Sequence, residues 1–182
     1  VGYWTNALKY LQDGISICEE FEDQFVLGKI EFIKGLIEAG NKQYALAADN
    51  MEAAVDLYEL AESREHAMLA LQELGLIYIQ DARYTKSVRQ LKKCIRMKRK
   101  LSIEDKSLLA EIALIYAGIM ENDVDEIELK RLTGELNTRD EKKISQREWH
   151  YLYLVYLHSD SKKQASIFRN TLINNPFFSV QK

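Results

Sequence analysis

Proline occurs once in the 182 residues, at Pro176, and glycine eight times. A protein of many short strands needs turn residues at close intervals, so this scarcity argues against a sandwich or barrel and for helices. The two cysteines, Cys18 and Cys94, stand far apart and form no CxxC pair. Unpaired thiols fit a reducing compartment, so the expected location is cytoplasmic. Three histidines leave little material for a metal site. His150 and His158 lie about two helical turns apart, too far to ligate one metal without other donors. No apolar run reaches the roughly 18 residues that a membrane-spanning helix needs. GxSxG, GxxxxGK[ST] and HExxH are all missing, and His150 has no visible nucleophile or orienting partner. The expectation is therefore no enzyme, no cofactor, no metal and no membrane.

What is present is a chain able to bury a core: 47% of residues are hydrophobic and 29% charged. The net charge of −3 is unfavourable for a phosphate backbone, so nucleic acid is not an expected ligand of this segment.

Spacing carries the strongest signal. In Leu71-Gln-Glu-Leu74-Gly75-Leu-Ile-Tyr78, followed by Tyr84, Ser87, Leu91 and Cys94, bulky residues alternate at fixed intervals with small ones. Leu109, Ile112, Ala113 and Tyr116 repeat the first half of this pattern, and Trp149, Leu152 and Tyr156 repeat it again. Tyr44, Ala47, Met51 and Ala54 precede Tyr84, Ser87, Leu91 and Cys94 by 40 residues, and Trp4, Ala7, Leu11 and Gly14 precede them by 80. The pattern resembles the tetratricopeptide repeat, a hairpin of two antiparallel helices. The bulky residues fill the groove between the helices, and the small ones sit where the backbones approach closely. The resemblance implies an all-α, right-handed superhelix of about four helix pairs, entered through an N-terminal orphan helix. One repeat domain over 1–182 is expected, with units 1–24 (second helix only), 25–62, 63–101, 102–140 and 141–176, then a short tail carrying Phe177 and Phe178. An orphan helix cannot bury its apolar face alone, so the chain reads as the C-terminal part of a longer protein.

Two copies depart from the pattern. Around Gly40 the ladder Ile30, Ile33, Ile37 is preferred as the apolar positions, with one extra residue in the turn Gly40-Asn41-Lys42-Gln43. The other phase makes Gly35 the small residue but places Glu31 and Glu38 at apolar positions. The segment 125–132 is weak, without its small residue. Caps support the phasing: Ser145 with Glu148 reads as a capping box before Trp149, Thr138 with Glu141 and Ser102 with Asp105 look similar, and Ser63 is placed to cap the helix through Met68. Gly118 or Asn122-Asp123 is expected to end a helix. His66 reads as ordinary surface.

In tetratricopeptide arrays the groove is lined by fixed first-helix positions. Carried over, these are Leu69, Gln72, Leu76, Ile79 and Gln80, then Ser107, Ala110, Leu114, Ala117 and Gly118, then Arg147, His150, Leu154, Leu157 and His158. Gln72, Leu76, Ile79, Gln80, Leu114 and His150 are the residues expected to bind a peptide or protein segment. The Lys, Asn and Arg clamp of chaperone-tail receptors is not at these positions. The 38- to 40-residue period also resembles the repeat domains of Gram-positive peptide-pheromone receptors, the Rap-type response-regulator inhibitors and peptide-gated transcription regulators. That resemblance implies a ligand-sensing domain following an upstream effector portion, helical or DNA-binding.

A second candidate surface is the stripe Lys86, Arg89, Lys93, Arg96, Lys100, part of a run of eight cations in fifteen residues. Either an acidic partner lands there, or Glu121, Asp123, Asp125, Glu126 and Glu128 of the next repeat neutralise it. The alternative function is accordingly a scaffold or oligomerisation module using this helix or the apolar tail, with a homo-oligomer left open.

Overall fold

The structure, a computed structural model, describes residue 10 and residues 23–101, 107–138 and 144–158. Seven helices and no strand occur among the described residues: α1 (Gln24–Gly40), α2 (Tyr44–Leu60), α3 (Arg64–Gln80), α4 (Tyr84–Lys100), α5 (Leu109–Met120), α6 (Glu126–Thr138) and α7 (Gln146–His158). The chain divides into two compact units, Val1–Ile103 and Glu104–Lys182. None of the described helices is long and apolar enough to cross a membrane. The proposed orphan helix through Trp4 and Leu11, the Ser102–Asp105 cap and the tail at Phe177 and Phe178 lie outside the described residues.

In the first unit α1 to α4 are each 17 residues long and start at intervals of 20, at residues 24, 44, 64 and 84. Each packs on the next in sequence, a pairing compatible with a helical-repeat superhelix. The turns explain the regularity. Lys42, Glu62 and Ala82 all adopt positive φ, at 63°, 54° and 55°. The following amide then reaches back five residues, Gln43 N to Glu38 O, Ser63 N to Tyr58 O and Arg83 N to Tyr78 O, at 2.8–2.9 Å. This is the Schellman arrangement, which satisfies the last helical carbonyls. It recurs in the second unit, where Asn122 has φ 56° and Asp123 N meets Gly118 O at 2.8 Å. Asn122 thus terminates α5, while Gly118 stays inside it. None of the four left-handed positions holds glycine, so each keeps a Cβ penalty. Ala82→Gly is expected to raise stability by about 0.5–1 kcal/mol after glycine's entropy in the unfolded chain is deducted. A higher urea midpoint with an unchanged slope would register it.

Helix pairs interlock through small residues. A Cβ on Gly75 would lie 2.6 Å from Leu91 Cδ2, and the Ser87 hydroxyl donates to Gly75 O at 2.8 Å. Forty residues upstream, a Cβ on Gly35 would meet Met51 Cε at 2.9 Å and Ala47 O at 3.2 Å. Gly35 is therefore the small residue of the first hairpin, and its turn is the ordinary three residues Asn41-Lys42-Gln43. The preferred phase with Ile30, Ile33 and Ile37 and a longer turn is corrected: Ile33 is exposed, whereas Glu38 is buried in the apolar register. Close approach of the two backbones decided the phase. Its cost at the carboxylates is reduced at Glu31, which pairs with Lys34 at 2.6 Å.

In the second unit α5 packs chiefly on α7 and less on α6. Its sequence is apolar around the whole circumference, and every residue from Leu109 to Gly118 is buried. The expected capping box at α7 is present: Ser145 N donates to Glu148 Oε2 at 2.7 Å, and Glu148 N lies 3.3 Å from Ser145 Oγ. Glu148 does more than this, because its Oε1 accepts from Leu108 N, the N-cap of α5, at 2.6 Å. One carboxylate, 1% exposed, therefore closes the N-termini of two helices. Thr138 ends α6, with its hydroxyl donating to Glu135 O at 3.0 Å, and its expected partner Glu141 lies outside the described residues. Ser63 is the N-cap of α3, but its hydroxyl is 2.9 Å from His66 Nδ1 instead of bonding the backbone.

The turns also set register. Because α3 and α5 end at residues 80 and 120, Tyr78 aligns with Gly118 and not with Tyr116. The tyrosines have different surroundings accordingly: the Tyr78 hydroxyl donates to Glu52 on α2, while the Tyr116 ring meets Tyr151 and His158 on α7.

Candidate functional site

The residues expected to line a groove fall into two classes. On α3, Gln80 is exposed and Gln72 half-buried, but Leu76, at 2% exposure, and Ile79 are buried. In the second unit, Leu114 is buried within α5 and His150 is exposed on α7. Leu76, Ile79 and Leu114 are thus corrected from ligand contacts to packing residues, as are Ala110, Ala117 and Gly118. Their helices are apolar on more sides than one hairpin consumes, and burial claims the surplus. Leu69 and Leu157 are exposed as expected.

The corrected phase of α1 supplies contacts that the first reading missed. Shifting the groove positions of α3 back by 40 residues gives Lys29, Phe32, Leu36, Ala39 and Gly40. Leu36 is 42% exposed and Leu69 43%, and Phe32 is half-buried beside Leu36 on α1. Ile33 is also exposed. Leu36 on α1 and Leu69 on α3 thus stand exposed at different groove positions of the two first helices, with Ile33 exposed on α1 and Gln72 half-buried on α3.

His66, expected on the surface, is half-buried, with its ring edge-on to Phe25 at 4.9 Å and tilted against Tyr58 at 5.3 Å. His158 donates from Nδ1 to Leu154 O at 3.0 Å, and His150 lies edge-on to Tyr151. Among the described residues no group of three or more His, Cys, Asp or Glu side chains is gathered to hold a metal.

On the opposite face, the second helices α2 and α4 border two adjoining clefts of about 500 and 660 Å³. Glu52, Asp56 and Glu59 of α2 line one wall, and Arg89, Lys93, Arg96 and Lys100 of α4 the other. Val55, Leu71 and Leu74 lie at the base. Lys93 reaches across to Glu59 at 2.8 Å. Acids of the preceding hairpin thus stand beside the basic stripe. Within the second unit, Glu128 pairs with Arg131 at 2.5 Å. Arg131 also meets Glu111 at 3.2 Å and Glu135. Burial works against its charge, but the Glu128 hydrogen bond and the surrounding carboxylates outweigh it and hold the guanidinium above its ordinary range.

Lys86 is 5.4 Å and Arg83 4.7 Å from the Tyr78 ring centre, so two cations of this region rest on an aromatic face. Burial, then the Glu52 carboxylate, pushes the Tyr78 phenol well above the usual tyrosine range. Tyr78 therefore stays a donor and fixes Glu52 in the acidic wall.

Comparison with protein-family models and with curated proteins gives no match. The functional reading therefore depends on the residues and their placement.

Proposed function

We propose that this chain is a tetratricopeptide-like, non-enzymatic module that binds a peptide or protein segment on its first-helix face, in the cytoplasm. The observation that carries the reading is the exposure of Leu36 and Leu69 at groove positions of successive first helices, with Ile33, Phe32 and Gln72 alongside. Apolar anchors flanked by an amide suit a segment whose side chains fill the apolar surface while Gln72 meets its backbone. The 20-residue recurrence of helix and turn supports the repeat assignment. The 40-residue hairpin period further supports a ligand-sensing domain of the Gram-positive peptide-pheromone type. In such a regulator the peptide acts by favouring one arrangement of the repeats, which requires different affinity for each.

Selection from a displayed random peptide library, followed by calorimetry, tests the reading. A selected peptide is expected to lose about tenfold or more in affinity with the Leu36→Glu/Leu69→Glu variant. The Arg89→Glu/Arg96→Glu variant, on the other face, should leave it unchanged. Absence of any selected peptide, or equal sensitivity to both variants, contradicts the proposal.

The scaffold reading is favoured by a separate observation: Leu46 and Leu60 on the second helix α2 are 47% and 70% exposed.

A further inference from the structure

The 40-residue register relates α2 and α4 position by position. Opposite the buried row Ala47, Met51, Ala54 and its counterpart Ser87, Leu91, Cys94, each helix presents an outward ridge. On α2 the ridge is Leu46, Asp49, Ala53, Asp56, Leu60. On α4 it is Lys86, Arg89, Lys93, Arg96, Lys100. Asp49 and Arg89 are repeat equivalents, and so are Asp56 and Arg96. The four are exposed and make no ion pair with one another. Equal positions of one repeated surface thus carry opposite charge.

Two antiparallel connections separate α2 from α4, so the two helices run in the same direction. A surface with an acidic ridge and a basic ridge side by side is self-complementary under a twofold axis parallel to those ridges. Rotation about that axis lays α2 of one copy over α4 of the other. Asp49 then comes level with Arg89 of the second copy and Asp56 with Arg96, and the reciprocal contacts form on the other side of the axis. A twofold axis perpendicular to the helices would set acid on acid and base on base, so it is excluded.

We infer that the second-helix face of the first unit is the interface of a homodimer, in which the α2 ridge of each copy docks on the α4 ridge of the other. Apolar contact adds to the charge match. Leu46 and Leu60 come level with Lys86 and Lys100 of the second copy, whose methylene stems cover them while the ammonium groups stay in water. A polyphosphate fits the same surface poorly, because Glu52, Asp56 and Glu59 line the wall beside the cations. The inference does not use the first-helix peptide surface, so either can fail alone.

Charge exchange tests it, with the chain itself as probe. Light scattering is expected to give twice the chain mass at low ionic strength, falling toward the single-chain mass as salt screens the ridges. Asp49→Arg/Asp56→Arg and Arg89→Glu/Arg96→Glu should each lose the dimer, because each then sets like charge against like charge where residue 49 faces 89 and residue 56 faces 96. Mixed in equal amounts, the two variants should recover the doubled mass. Circular dichroism of each variant separates loss of association from loss of fold. A native chain that stays at single-chain mass at low salt overturns the inference. So does a dimer that survives either charge reversal, or a mixture of two folded variants that fails to associate.

Discussion

Replacing Glu148 with alanine is expected to lower the stability of the second unit by about 2–4 kcal/mol. The carboxylate accepts from Leu108 N and Ser145 N, and a buried donor left without its acceptor costs about 1–3 kcal/mol. Glu148→Gln keeps one carbonyl oxygen and is expected to lose about half as much. Ser145→Ala removes only the reciprocal half of the capping box and should cost about 1 kcal/mol. Denaturant unfolding followed by the fluorescence of Trp149, next in sequence to Glu148, measures all three. A loss below about 1 kcal/mol for the alanine variant would show that the two helix starts do not depend on this side chain.

Gly75 and Leu91 give the second large effect, with a sign that depends on both partners. An alanine methyl at residue 75 would sit 2.6 Å from two atoms of the fully buried Leu91. Overpacking of that kind costs about 1–3 kcal/mol, against a helix-propensity gain of about 1 kcal/mol. A net loss of about 1–2 kcal/mol is expected for Gly75→Ala. Leu91→Ala should lose about 3 kcal/mol through the cavity it leaves. Combined, the two changes should cost less than their sum by about 1–2 kcal/mol, because the new methyl enters the vacated space. Gly134→Ala on α6 is the control. Nothing lies within 4 Å of that position, so the same chemical change should stabilise by up to about 1 kcal/mol. Additive costs at residues 75 and 91 would show that the hairpin does not interlock there.

The residues that specify the hairpins were legible in the sequence because they act locally. Tyr44 and Tyr84 start second helices as the spacing predicts. The Gly75–Leu91 alternation marks a close helix approach, and Ser145 with Glu148 opens α7. The phase of α1 was misread because it sets two physical demands against each other. A glycine is needed at the crossing with Met51, and this places Glu38 in the apolar register. Close packing prevails, although Glu38 Oε2 is buried without a hydrogen-bond partner, because a lengthened turn would break the Schellman bonds. The candidate peptide site was less legible. A position in a repeat states which way a side chain points, but not whether a neighbouring element covers it, and Leu76, Ile79 and Leu114 are covered. The acidic wall of the clefts, Glu52, Asp56 and Glu59, was readable in principle from the preceding second helix, which carries these acids at helical spacing beside the basic one. Attention to the basic run alone directs the search for its partners downstream.

Backbone nuclear magnetic resonance of the turns tests the repeated geometry most directly. The fold predicts positive φ at Lys42, Glu62, Ala82 and Asn122, together with slowed hydrogen exchange at the amides of Gln43, Ser63, Arg83 and Asp123, each bonded five residues back. Negative φ at any of the four, or amides exchanging at the rate of an open loop, would contradict it.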